Sequence, residues 1–174
     1  MCTSVTAVLF MRITRRHVLA AGAAVAAASA VGVGGLGLRW WDQPPEAPYA
    51  RLSAEEGLVV SALAEALYPP GGEPALSGAE AQLDRFIDEV LTHMPEFQAK
   101  GIRLLVHALE ALGGGFSEKP LAARRALVHE WMVHPIAEVR SVIQSLVLLL
   151  GMGYTIHPEA VDFFSAMTRC GYGV

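Results

Sequence analysis

From Ser53 onward, every apolar segment of the chain repeats with the 3.6-residue period of a helix, and none alternates with the period of two that a strand needs. Proline and glycine cut this pattern into pieces. Ser53-x-x-Glu56 is a capping box ahead of Val60, Leu63, Ala64 and Leu67, and Pro69-Pro70-Gly71-Gly72 ends that helix. Ser77-x-x-Glu80 is a second box, opening a helix with Leu83, Phe86, Ile87, Val90 and Leu91 inward and Asp84, Asp88 and Glu89 outward. Pro95 starts a third, with Phe97, Leu104, Leu105, Ala108, Leu109 and Leu112 on its buried stripe and Gly113-Gly114-Gly115 as its stop. A fourth runs from about Pro120 to His134 and buries Leu121, Val128, Trp131 and Met132. The fifth, Ile136 to Gly151, carries Ile136, Val139, Ile143, Leu146, Val147 and Leu150 on one stripe. Val142, Leu148 and Leu149 fall off that stripe, so its second half is apolar nearly all round. Such a helix is either central in a bundle or presses on a second surface. A short sixth helix covers Ala160 to Met167. The expected fold is therefore all-α, a compact bundle of about five to six helices preceded by an N-terminal export or anchor helix.

That leading helix explains where the apolar excess sits. The chain of 174 residues is 53% hydrophobic, but residues 1–38 hold 24 hydrophobic residues and the remainder is an ordinary half apolar. Val18 to Leu38 is 21 residues without a charge, mostly Ala, Gly and Val. Directly before it stands Thr14-Arg15-Arg16-His17-Val18-Leu19, and twin arginines followed by an apolar position and Leu19 resemble a twin-arginine export signal. Met11 suits a true start, since residues 1–10 add nothing a signal needs. Two fates are open for the segment. Ala28-Ser29-Ala30 has the small-x-small pattern of leader cleavage. Alternatively, 21 residues span about 30 Å, one hydrocarbon thickness. In that case Trp40-Trp41 would sit at the far interface, and Arg12, Arg15 and Arg16 would hold the N-terminus inside. Either way, the rest is expected in the periplasm, in three parts: leader or anchor 1–38, proline-rich linker 39–52 and helical domain 53–174. Without the leader, 10 basic residues face 17 acidic ones, which removes the basic footprint of a nucleic-acid binder.

Motifs that resemble catalytic signatures fail on spacing or context. Gly32-Val33-Gly34-Gly35-Leu36-Gly37 has the glycines of a dinucleotide-binding turn, but alanines precede it and tryptophans and prolines follow it. His129 and His134 are five apart and diverge on a helix, where a zinc-protease helix needs a separation of four. No covalent-haem motif, nucleophile elbow or phosphate loop occurs. Paired carboxylates such as Asp88-Glu89 are expected on solvated faces, without a pocket to tune them. These readings point to no catalytic, metal or cofactor-binding constellation in this chain. Cys2 belongs to the leader, so Cys170 is the odd cysteine of an exported chain, either a buried free thiol or a bridge to another subunit.

One family shares several short motifs with the chain. Leu52-Ser53-Ala54-Glu55-Glu56, Ala62-Leu63-Ala64-Glu65-Ala66-Leu67-Tyr68-Pro69, Glu73-Pro74-Ala75-Leu76-Ser77-Gly78-Ala79 and Phe86-Ile87-Asp88 resemble the gluconate 2-dehydrogenase subunit 3 family. Gly101-Ile102-Arg103-Leu104-Leu105 is placed like that family's third helix, and Gly171-Tyr172-Gly173 is similar to its closing element. The likeness spans about residues 52–174, is strongest over 52–110, and is looser from 113 on.

The resemblance implies a small, non-catalytic helical subunit that binds a large FAD-dependent dehydrogenase of the glucose-methanol-choline type. That partner would hold the FAD and be carried folded to the twin-arginine translocase by this chain's leader; a cytochrome c subunit would receive its electrons. The candidate partner surface is Leu146, Leu148, Leu149, Tyr154, Phe163 and Tyr172, with Cys170 as the candidate inter-subunit bridge. A competing reading is a stand-alone periplasmic protein binding metal or haem through His93, His107, His129 or His134.

Overall fold

The computed structural model describes residues 43–168; Arg15, Arg16, Leu19, Ala28 and Ala30, read above as an export signal, and Cys170 and Tyr172 near the end, lie outside them. The described residues form six helices and no strand: α1 (Ala54–Leu67), α2 (Leu83–Thr92), α3 (Glu96–Leu112), α4 (Leu121–Met132), α5 (Ala137–Ile156) and α6 (Pro158–Thr168). The all-α expectation holds.

α1 is the central helix. Its Ser53/Glu56 capping box is formed in both directions, with Ser53 N–H donating to Glu56 Oε2 at 2.7 Å and Glu56 N–H to Ser53 Oγ at 3.2 Å. Val59, Val60, Ala62, Leu63, Ala64 and Ala66 are buried, so most of its circumference is covered. Helices α2, α3 and α4 each pack on it, α5 lies across α2 and α4, and α6 packs on α5. Side chains of α1, α2, α3 and α5, among them Leu63, Ile87, Val106 and Leu150, meet around one apolar gap.

Three element boundaries differ from the sequence reading. The Ser77/Glu80 box forms, with Glu80 N–H donating to Ser77 Oγ and Ser77 N–H to Glu80 Oε2. It closes only a short turn, however: Gln82 takes a left-handed conformation (φ 49°), and α2 starts at Leu83. The turn sits tight on α1 because Gly78 has no side chain; a Cβ there would lie 2.2 Å from the Ala64 carbonyl oxygen. The fourth helix stops at Met132 rather than His134. The fifth runs on to Ile156 rather than ending at Gly151. Gly153 serves there as a contact surface rather than a stop: a Cβ on it would lie 2.4 Å from the Phe86 ring of α2. Pro158 ends α5 instead, since the residue before a proline is driven out of helical geometry and His157 is extended (ψ 135°).

The largest difference is the register of α3. The two ends of the stripe expected inward face out: Phe97 is 83% exposed and Leu112 74%, while Leu109 is buried as expected and Leu105 packs half-buried on the core. Ala99, Val106 and His107, off that stripe, are buried beside Leu109. The helix is turned by more than roughly a third of a turn from the orientation its hydrophobic stripe predicts. On α4, Val128 is buried as expected, Leu121 and Trp131 are half-buried against the core, and Met132 is on the surface.

Candidate functional site

The rotation of α3 has a polar cause. Glu56, the third residue of α1, is completely buried. Its carboxylate accepts from Arg103 Nε at 2.8 and 3.0 Å, lies 2.8 Å from His107 Nε2, and accepts the Ser53 N–H of its own cap. Arg103 and His107 are four apart and share one face of α3. Burial pushes the Glu56 carboxyl up, but the hydrogen bonds from His107, Arg103 and the Ser53 backbone outweigh it and hold the group below the usual carboxylate range. A buried charge without partners costs several kcal/mol, so α3 is constrained to present Arg103 and His107 to α1 whatever its apolar stripe prefers. Glu110, one turn on, accepts Ser117 N–H at 2.8 Å and Ser117 Oγ–H at 2.9 Å and ties the next turn to the same helix.

The segment before α1 is a strap rather than a solvated linker over its described part. Asp88, expected on an outer face of α2, is buried and accepts three successive backbone N–H groups, from Ala50, Arg51 and Leu52, each at 2.8 Å. Tyr49 O–H donates to Asp84 at 2.7 Å, and its ring fills the notch left by Gly57 of α1. Burial, followed by the neighbouring Asp84 carboxylate, pushes the Tyr49 phenol up to about 12. Arg85 donates to the Pro48 carbonyl at 3.0 Å and lies over the Tyr49 ring. The Arg103 guanidinium, already on Glu56, donates its other edge to the Gln43 carbonyl at 2.7 Å.

The candidate partner surface divides. Leu148 is 68% exposed, and Met152 and Ile156 continue its line along α5 at four-residue spacing; Val161 and Phe164 of α6 are exposed too. From Ser141 to Pro158 the chain carries no charged residue. Phe163 is half-buried, edge-on to Phe164. Leu146 and Tyr154 face inward, and Leu149 packs half-buried on the core. Tyr154 stacks on Tyr68 at 3.8 Å and donates its hydroxyl hydrogen to the Leu76 carbonyl at 2.6 Å, which makes it a core anchor. Burial raises its phenol pKa, and burial followed by Tyr154 raises that of Tyr68. α5 as a whole is long and apolar enough to cross a membrane by length and composition, yet its inner face packs on α2 and α4.

The four histidines do not converge. His107 is on Glu56, His93 and His129 are exposed near the ends of α2 and α4, and His134 Nδ1 accepts the Ile136 N–H. Among the described residues, no group of three or more His, Cys, Asp or Glu could hold a metal ion.

Two features escaped the reading of the sequence, the Glu56–Arg103–His107 cluster and the Asp88 anchor. The i, i+4 spacing of Arg103 and His107 opposite the apolar stripe was the available signal for the first. Asp88 gives no signal of its own, because its partners are main-chain groups. The described residues thus define an all-α bundle with a strapped N-terminal segment and apolar helix faces left uncovered. No family model, no curated protein and no solved structure matches the chain.

Proposed function

We propose that this chain is the non-catalytic small subunit of an exported oxidoreductase complex. It binds and stabilises a large FAD-dependent dehydrogenase of the glucose-methanol-choline type and escorts it, folded, to the twin-arginine translocase. The FAD belongs to the partner, and a cytochrome c subunit is the expected electron acceptor. The complex resides in the periplasm, against the inner membrane. The observation that carries the reading is the uncharged, solvent-facing apolar line Leu148, Met152 and Ile156, flanked by Val161 and Phe164. A stable monomer gains nothing from such a line, and contiguous exposed apolar surface marks a partner site. The twin-arginine leader and the short motifs shared with the subunit 3 family support the same reading from the sequence. Among the described residues of the candidate surface, Leu148 is exposed and Leu149 and Phe163 are half-buried.

Two changes test it. Replacing Arg15 and Arg16 by Lys in the co-expressed pair strands the dehydrogenase in the cytoplasm; a dehydrogenase that still reaches the periplasm refutes the escort role. Replacing Leu148, Met152 and Ile156 together by Glu leaves the domain folded but abolishes co-purification of the flavoprotein. Retention of the partner by that triple variant refutes the assigned surface.

A further inference from the structure

We propose that residues 43–51 are a latch, closed by the completed packing of α1, α2 and α3 and able to open while the core stays folded. Its anchors come from all three helices. Gly57 of α1 supplies the notch for the Tyr49 ring, Asp84 and Asp88 of α2 supply the carboxylates, and Arg103 of α3 holds the Gln43 carbonyl. Arg51 adds an exposed pair to Glu96 at the start of α3. None of these anchor points is in place unless its helix is docked, so closure reads out assembly of the three. Asp88 is the decisive one, because a carboxylate that accepts three main-chain N–H groups makes charge-assisted hydrogen bonds to the strap itself and to nothing sequence-specific in it.

Residues 43–51 are exposed or half-buried, whereas Leu52 is fully buried and capped onto α1 by the Ser53 box. Opening the strap back to Leu52 costs hydrogen bonds and the Tyr49 contact but exposes little of the core. Segments with few buried apolar contacts open locally, below the free energy of global unfolding. Among the described residues, opening moves the first held one from Gln43 to Leu52. In a chain exported folded, a latch of this kind reports to whatever lies upstream that the domain is assembled. That consequence rests on the export reading; the latch does not.

Native-state hydrogen exchange on the full chain tests the latch independently of any partner. The Ala50 and Arg51 amides are expected to be protected by about a hundredfold or more over an unstructured peptide, yet to exchange through an opening that leaves Val60 and Leu63 protected. Asp88→Asn, which offers one acceptor oxygen and brings two donors against the strap N–H groups, raises their exchange and the rate of trypsin cleavage after Arg51 by about tenfold or more. The α1 amides are unchanged. Should Asp88→Asn fail to fold, Tyr49→Ala, a change within the strap, is expected to give the same pattern. Strap amides that exchange at the free-peptide rate in the unaltered chain, or only together with those of α1, overturn the proposal. A dehydrogenase that still reaches the periplasm when Arg15 and Arg16 are replaced by Lys, beside a normal exchange pattern, would count against the export reading alone.

Discussion

α3 and α5 are the two longest helices among the described residues, 17 and 20 residues, and they dispose of their apolar residues in opposite ways. α5 follows its hydrophobic stripe along the helix body: Ile143, Leu146 and Leu150 are buried where the period places them, Ile136 at the cap is exposed although the stripe includes it, and the surplus, Leu148 with Met152 and Ile156, is left outside. α3 gives up the two ends of its stripe, showing Phe97 and Leu112 to solvent while it turns Arg103 and His107 onto Glu56. The difference is the neighbour. α5 meets apolar side chains of α2 and α4, so burial of area decides its orientation. α3 meets a carboxylate buried in the first turn of α1, and one desolvated charge outweighs two or three leucines at about 1.5–3 kcal/mol each. Apolar surface outside α5 is therefore excess, whereas apolar surface outside α3 is displaced.

The sharpest way to break this comparison is to remove the charge. Glu56→Ala leaves Arg103 and His107 buried without their carboxylate and removes half of a capping box; a loss of about 3–5 kcal/mol is expected in urea unfolding. A loss under about 1 kcal/mol would mean that α3 is not held by this cluster. For α5, the paired changes Leu150→Ala and Leu148→Ala separate stripe from surplus. The first empties a fully buried site and costs about 2–5 kcal/mol; the second stays within about 0.5 kcal/mol. Equal effects would place the two leucines in equivalent surroundings and contradict the orientation of α5. Gly153→Ala pushes the Phe86 ring away from α5 and is partly offset by better helix propensity, for a net loss of about 1–2 kcal/mol by thermal or urea melts.

The smallest effects are in pH dependence. Glu56 has a carboxyl pKa lowered below the ordinary 4.5. Its contribution is therefore complete above that value and is lost as pH falls through the lower, folded-state pKa. Urea midpoints of the Glu56→Gln variant should be lower at neutral pH and lose less stability on acidification. Tyr49 is raised from 10.0 to about 12, so its contribution is complete below pH 10 and fades as pH rises towards 12. In Tyr49→Phe that alkaline decline should flatten, as read by unfolding midpoints between pH 9 and pH 12.

Much of the fold was legible residue by residue. Ser53 and Glu56 announce the start of α1, Pro95 and Pro120 announce α3 and α4, and the glycines after Leu112 end α3, because these signals act within one turn of the chain. The end of α5, expected at Gly151, was missed for the opposite reason. In a helix, glycine can end the chain's helical run or admit a neighbour, and only a neighbour such as Phe86 at Gly153 distinguishes the two. Asp88 beside Glu89 looks like any solvated acidic pair until the strap arrives with three N–H donors. The surface residues of α5 were half legible: Leu148 lies off the stripe and is exposed, but Tyr154, also assigned outside, turns in to stack on Tyr68.

The sequence by itself determined that the described residues are helical and where most of their helices begin. Capping, proline and hydrophobic period are local, and local interactions are written in neighbouring residues. The tertiary structure alone decided which face α3 buries, whether residues 43–52 hang free or are strapped down, and which apolar side chains of α5 remain on the surface. Those outcomes depend on a carboxylate meeting a guanidinium 47 residues away and main-chain donors meeting Asp88 from 36 to 38 residues away. The energies of such contacts come from desolvation and partnering, which exist only once the helices have been brought together.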